Sequence, residues 1–322
     1  YLSALQQSDF SAVTRYKSTP TAFIYDEGRN TYTPSNFGGR YTNEFIDLRQ
    51  AIAQSDNIYA VNTIMKIGAD QVIAMARKLG IYSEMKPLPS LALGTFPVSP
   101  YEMASAFSVI ANQGVRVSPT AILRIEDADG KILFEASPQR EKVMEPAAAY
   151  VLTTLMESVF DQGGTASRVA QILKRPVAGK TGTTNTDSWM VGFTPELSTA
   201  VWVGYDRDRK ISSMESRKAA PIFAEFTERT LAAIPPKVFP IPDDVVNLNI
   251  DPMSGKLAGA DCPNTRMEAF VVGSEPVEYC SEPASEGTPG GTDGDGVNAG
   301  AGSDGGGKDT SWWGDLKRWW ND

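Results

Sequence analysis

The chain contains no histidine in 322 residues. That absence removes the Ser-His-Asp and Cys-His nucleophile pairs, the HExxH zinc helix and nearly every His-ligated metal site. Cysteine is scarce as well: with only Cys262 and Cys280, a zinc site would have at most two sulfur ligands, so neither metal nor cofactor is expected. No charge-free apolar run reaches the roughly 18 residues of a membrane-spanning helix, and the N-terminus lacks a signal-peptide pattern. Positive charge is also wanting. A net charge of -9 and a pI near 4.8 leave no basic stripe to neutralise phosphates, which argues against nucleic acid as a partner. The 41% of hydrophobic residues suffices for a large core, and the length allows one large domain with an appendage or two.

Against these absences stands the run Lys180-Thr181-Gly182-Thr183-Thr184, preceded in the chain by Ser55-Asp56-Asn57. Without histidine, this combination points to acyl transfer by a serine that uses lysine for proton traffic, whose signature set is S-x-x-K, S-x-N and K-T-G. K-T-G between small residues reads as a strand beside a cleft, where Gly182 lets a substrate backbone come close. Lys180 and Gly182 then face one way, Thr181 and Thr183 the other, with the threonine hydroxyls in reach of a bound carboxylate. The Thr183 backbone N–H is a natural oxyanion donor. The Ser55 hydroxyl can relay a proton, and the Asn57 amide can hold both a lysine ammonium and a substrate carbonyl. Either motif alone has a plain explanation: K-T-G arises by chance, and S-D-N makes a good helix cap or Asx-turn. Their order and context make the joint signal stronger.

Longer strings surround the motifs. Pro34-Ser35-Asn36-Phe37-Gly38-Gly39-Arg40-Tyr41 and Leu48-Arg49-Gln50-Ala51 lead into Ser55, and Leu91-Ala92-Leu93-Gly94 and Ser99-Pro100-Tyr101-Glu102-Met103-Ala104 follow. Ala178-Gly179 opens the K-T-G run, Asn185 ends it, and Asp187, Trp189, Val191-Gly192-Phe193-Thr194-Pro195 and Trp202-Val203-Gly204-Tyr205-Asp206 come after it. Over residues 1–282 the chain resembles the transpeptidase domain of class A penicillin-binding proteins, bifunctional enzymes that polymerise and cross-link peptidoglycan. The resemblance implies a β-lactamase/DD-peptidase-like α/β (α+β) fold, an antiparallel sheet flanked by helices.

It also implies a role for each matched residue. Ser55 shuttles protons, Asn57 positions the family's lysine and the substrate amide, and Lys180 supplies positive potential. Thr181, Gly182, Thr183 and Thr184 border the substrate, with the Thr183 N–H in the oxyanion hole. The implied ligands are D-Ala-D-Ala stem peptides and β-lactams, and the implied partners are cell-wall synthesis proteins. The implied location is the extracytoplasmic face of the cell membrane, reached through an anchor that would lie upstream with the glycosyltransferase domain. S-x-x-K itself is missing ahead of S-x-N. In the family it lies just before a segment like Tyr1-Leu2-Ser3-Ala4-Leu5, so nucleophile and base are expected upstream of Tyr1 and the chain alone is expected to form no acyl-enzyme. Ser83-Glu84-Met85-Lys86 follows S-x-N, and Pro87 and Pro89 disfavour the helix it would need. A non-catalytic scaffold module and a β-lactam sensor or β-lactamase stay open as alternatives.

Local patterning sets the expected frame. Helices are expected over residues 45–53, 58–67, 70–79, 100–111, 146–160 and 222–234, with Val72, Ile73, Ala76 and Leu79 forming the apolar face of the third. Residues 121–125 and 131–134 read as a hairpin around Asp129-Gly130, and 188–193 and 198–205 as antiparallel neighbours of the K-T-G strand. Trp189 and Trp202 read as sheet packing. The transpeptidase domain is expected to end at 236, followed by a small extension at 237–282, where Cys262 and Cys280 form a disulfide if the domain is extracytoplasmic. A Gly/Asp/Ser linker over 283–310 and a Trp-rich amphipathic tail over 311–322, fit for a membrane interface or a protein groove, complete the chain.

Overall fold

A computed structural model describes residues 1–207, 209–260 and 262–280. The expected linker and Trp-rich tail lie outside the described residues. After the short α1 (Leu2–Leu5) come β1 (Tyr16–Lys17), β2 (Phe23–Tyr25), β3 (Asn30–Tyr32) and β4 (Phe45–Ile46), then α2 (Leu48–Gln54), α3 (Asn57–Ile67), α4 (Ala69–Lys78) and α5 (Pro100–Ala111). The strands β5 (Val115–Val117), β6 (Arg124–Glu126), β7 (Ile132–Glu135) and β8 (Arg140–Lys142) lead to α6 (Pro146–Glu157). β9 (Ala178–Thr183), β10 (Asp187–Phe193), β11 (Ser198–Gly204) and α7 (Ala219–Thr230) follow, and β12 (Val245–Ile250) with β13 (Arg266–Val271) forms the extension.

The helix expected over 45–53 starts later than its apolar pattern suggests. Phe45 and Ile46 pair with Lys17 and Tyr16 as a short antiparallel ribbon. Asp47 then caps α2 through a capping box, its side chain accepting from the Gln50 N–H while the Gln50 side chain accepts from the Asp47 N–H. A second capping box, Ser99 with Glu102, opens α5 just ahead of Pro100. The inward stripe of α4 also differs from expectation: Leu79, just past its end, is buried and Val72 and Met75 pack beside it, whereas Ile73 and Ala76 take no part in the core. Positions 72, 75 and 79 keep the i, i+3, i+7 spacing of a single helix face.

The principal sheet has the order β11-β10-β9, antiparallel throughout, with Lys180 opposite Val191 and Gly182 opposite Trp189. Helices cover both its faces. Phe107 of α5 meets Phe193 edge-to-face, whereas a Cβ on the neighbouring Gly192 would lie 2.9 Å from Phe223 Cζ of α7 and 2.7 Å from the Ala178 carbonyl oxygen. Adjacent strand residues point to opposite faces, so α5 and α7 sandwich the sheet. Phe223 is fully buried, a contribution of about 1.5–3 kcal/mol for a side chain of this class.

α6 runs through the centre. Ten of its residues are buried, the first three of them alanine, and β9, α2 and β13 all pack against it. The extension packs Ala269, Phe270 and Ile250 into the same core, and Cys262 and Cys280 are bonded to each other beside it. By contrast, every residue of β6 and β7 is exposed. Trp189 and Trp202 sit directly opposite one another on β10 and β11, and both indole N–H groups donate to Asp187 Oδ2. Trp202 is 37% exposed, so the pair packs on the surface of the sheet instead of in the core.

Candidate active site

Two connections place Ser55. α2 ends at this residue, which adopts a left-handed backbone (φ 57, ψ 51) as its C-cap, and α3 starts two residues later. A left-handed non-glycine residue is strained by about 1–2 kcal/mol, and here it turns the hydroxyl out of the helix line toward β9. Lys180 Nζ donates to Ser55 Oγ at 2.7 Å and to the Thr181 carbonyl at 3.0 Å. Burial of the ammonium lowers the Lys180 pKa from 10.5 to about 8.

Asp56, buried between the two motif residues, caps α3 and anchors the junction. Its Oδ1 accepts from the Tyr59 N–H at 2.8 Å, and its Oδ2 accepts from Asn36 Nδ2 at 2.6 Å and from the Ser18 hydroxyl. Asn36 Oδ1 in turn accepts the Asn57 backbone N–H at 2.8 Å. The Asn57 side chain donates through Nδ2 to the Ser35 carbonyl at 2.7 Å, which leaves Oδ1 as the atom able to accept from an ammonium. The 34–36 segment is therefore a brace for S-x-N. Sequence reading matched this segment only as a string and gave it no role.

On the other side of the lysine, Thr181 Oγ1 donates to Thr165 Oγ1 at 2.7 Å, and the Thr165 N–H donates to the Ala53 carbonyl at 3.0 Å. Thr165 belongs to the turn after α6, where a Cβ on Gly164 would lie 2.3 Å from the Val159 carbonyl oxygen. It was not legible as a site residue beforehand; the signal was the pair Gly163-Gly164, two glycines in the turn that follows α6, just ahead of a hydroxyl residue.

β9 is an edge strand of its sheet. The Thr184 N–H donates inward to the Asp187 carbonyl at 3.0 Å, so the alternation of an antiparallel ladder turns the Thr183 N–H to the open edge. Thr183 is exposed there, and Gly182 keeps the strand low, packed over the Trp189 side chain. Thr184, expected to border a substrate, has its hydroxyl engaged by Asp187 and Thr186 in the β9–β10 turn. Ser83 and Lys86 lie on a loop, not a helix, with Ser83 bonded to Glu102 and Lys86 facing Glu84 at 3.8 Å. Chemically the assembled groups offer a buried ammonium against a hydroxyl, two threonine hydroxyls, and an outward N–H on a strand edge. Groups of this kind can attract a carboxylate and donate to a developing oxyanion.

Residues 2–228 match the model of the penicillin binding protein transpeptidase domain, and residues 241–285 that of the penicillin-binding protein 1A C-terminal domain. Penicillin-binding protein 2D of Bacillus subtilis is 42% identical over 87% of the chain and 42% of its own length. Penicillin-binding protein 1A of Aquifex aeolicus is 35% identical over 88% of the chain and 39% of its own length, so the chain spans about two fifths of these relatives. Among solved structures, penicillin-binding protein 1A from Haemophilus influenzae superposes with a TM-score of 0.79 at 26% identity, covering 87% of this chain and 48% of that one. The PonA1 protein from Mycobacterium tuberculosis, solved in complex with penicillin V, gives 0.64 at 26% identity, covering 75% and 69%. The fold is thus that of the penicillin-binding transpeptidase domains, and the chain belongs to the penicillin-binding protein transpeptidase family.

Proposed function

We propose that the chain forms most of the cross-linking half of a bifunctional peptidoglycan synthase, a serine D,D-transpeptidase whose substrates are D-Ala-D-Ala stem peptides and whose inhibitors are β-lactams. The Ser55–Lys180 contact carries this reading, because it joins residues 125 positions apart into one proton-conducting, carboxylate-attracting pair. The nucleophilic serine and its lysine base are assigned to sequence preceding Tyr1. That serine attacks the penultimate D-Ala carbonyl while its proton passes to the base lysine, held in part by Asn57 Oδ1. The Thr183 N–H stabilises the oxyanion, and Thr181 and Thr183 with Lys180 hold the terminal carboxylate. As the C–N bond breaks, Ser55 passes its proton to the departing D-Ala amine and takes up the one held by the base lysine, which returns to its neutral form. An amine from a second stem then attacks the ester, losing a proton as the serine is regenerated.

The same reading places the protein on the extracytoplasmic side of the cell membrane, anchored by upstream sequence and working with other cell-wall synthesis proteins. Among the described residues no helix is long and apolar enough to cross a membrane. The test is stem-pentapeptide turnover by the protein extended upstream of Tyr1. Release of D-Ala coupled to formation of a cross-linked dimer supports transpeptidation. Tight peptide binding with no D-Ala release would support a scaffold module, and rapid hydrolysis of a penicillin a β-lactamase.

A further inference from the structure

Resting on the reading of Ser55 and Lys180 as a working pair, we propose that Glu268 of the extension is a positioning residue for that pair, acting through α2. The extension would then be part of the frame of the site. The helix carries Arg49 near its start and Ser55 at its end, a rise of about 9 Å at 1.5 Å per residue. So short a helix moves as one piece.

Its first turn is gripped by β13. Arg49 forms a two-pronged pair with Glu268, Nε to Oε2 at 2.8 Å and Nη2 to Oε1 at 2.5 Å, and its Nη1 reaches the Thr154 carbonyl of α6 at 2.9 Å. Arg266 Nη2 bridges Asp47 Oδ2 at 2.5 Å and Glu268 Oε2 at 3.1 Å. Asp47 is the same residue whose Oδ1 caps α2 through the Gln50 N–H at 2.9 Å. The other end of the helix meets the site directly: Ala53 holds the Thr165 N–H, Thr165 bonds Thr181, and Ser55 bonds Lys180.

Charge and burial indicate that this cluster serves geometry more than adhesion. The Glu268 side chain is 0% exposed. A buried ion pair is often no more stabilising than apolar side chains of equal volume, and Ala269 and Phe270 on the same strand already supply apolar contact. What a guanidinium–carboxylate fork adds is fixed direction. Asp47, Arg49, Arg266 and Glu268 balance to zero. Glu157 also faces Arg49, with Oε1 unpartnered; burial pushes its carboxyl up to about 8, Arg49 opposing and Asp161 adding, so it stays protonated near neutral pH and leaves Arg49 to Glu268.

The experiment follows the Lys180 amine by NMR in the chain carrying 13C-labelled lysine, the resonance assigned with K180R. Glu268→Gln and Arg266→Gln are compared with Arg175→Gln, which breaks a similarly buried pair with Glu228 on α7, away from α2. Released from its grip, α2 lets water reach Lys180. The midpoint is expected to rise by about half a unit in both extension variants and to stay in place in R175Q. Should E268Q fail to fold, R266Q decides, since the Arg266 side chain is 25% exposed and its replacement leaves the Arg49–Glu268 pair in place. An unchanged midpoint in the extension variants, or an equal rise in R175Q, overturns the proposal. Because the readout needs no substrate, a lack of penicillin acylation would overturn the function proposed above without touching this result.

Discussion

Lys180 donates its Nζ proton to Ser55 Oγ across 2.7 Å, from a strand edge to the C-cap of a helix. With the ammonium buried at the cleft, replacing either side chain removes stabilisation that matters most when charge develops on the substrate. Lys180→Ala and Ser55→Ala should each slow penicillin acylation of the upstream-extended protein by about 10²-fold or more. Stopped-flow acylation measures this, and wild-type rates in either variant would refute the pairing.

The pH dependence has a definite sign. Burial lowers the Lys180 pKa from 10.5 to about 8, so between those values the folded chain binds fewer protons than the unfolded chain, and this group's contribution to stability rises with pH across that window. Attraction for a carboxylate runs the other way and is lost as pH rises through about 8. Acylation by a carboxylate-bearing β-lactam should therefore fall on the alkaline side near pH 8 while melting temperature holds or increases there. A rate still climbing beyond pH 9 would contradict the assignment.

Asn36 supplies one acceptor to the Asn57 N–H and one donor to Asp56. Asn36→Ala strips the Asn57 N–H of its acceptor and removes one of the two donors to Asp56 Oδ2, a loss of about 1–3 kcal/mol by urea denaturation. Because the brace sets Asn57, acylation per folded molecule should fall as well. Retention of full acylation in folded N36A protein would show that the brace is structural only.

Gly192→Ala tests the packing behind the site. A methyl there meets Phe223 Cζ at 2.9 Å, the Ala178 carbonyl oxygen at 2.7 Å and Gly179 Cα at 3.2 Å. Overpacking of this kind costs about 1–3 kcal/mol and should push β9 away from β10. A thermal melt matching the wild type would mean that the sheet adjusts freely.

Much of the site was legible because its chemistry lies in short strings. K-T-G announces its own strand, and Ser55 and Asn57 sit where two apolar patterns meet. The links between strings were not legible. Thr165 reaches Thr181 only through the fold, and Arg49 finds Glu268 across 219 positions. The strand at Phe45–Ile46 was hidden for a related reason: its pairing partner, Tyr16–Lys17, lies far upstream, so the local apolar pattern blended into the helix beyond Asp47. Trp189 and Trp202 read as sheet packing and do pack against each other across β10 and β11, but the Asp187 carboxylate that accepts from both indole N–H groups was not legible as their shared partner.

The central claim is that these residues complete a serine acyltransferase site. Intact-mass spectrometry after penicillin treatment tests it most directly, comparing the chain from Tyr1 with the protein extended upstream. One covalent penicilloyl adduct on the extended protein, lost in its Lys180→Ala variant at short times and absent from the chain alone, is the predicted result. No adduct on the extended protein, or an adduct on the chain alone, would contradict the account.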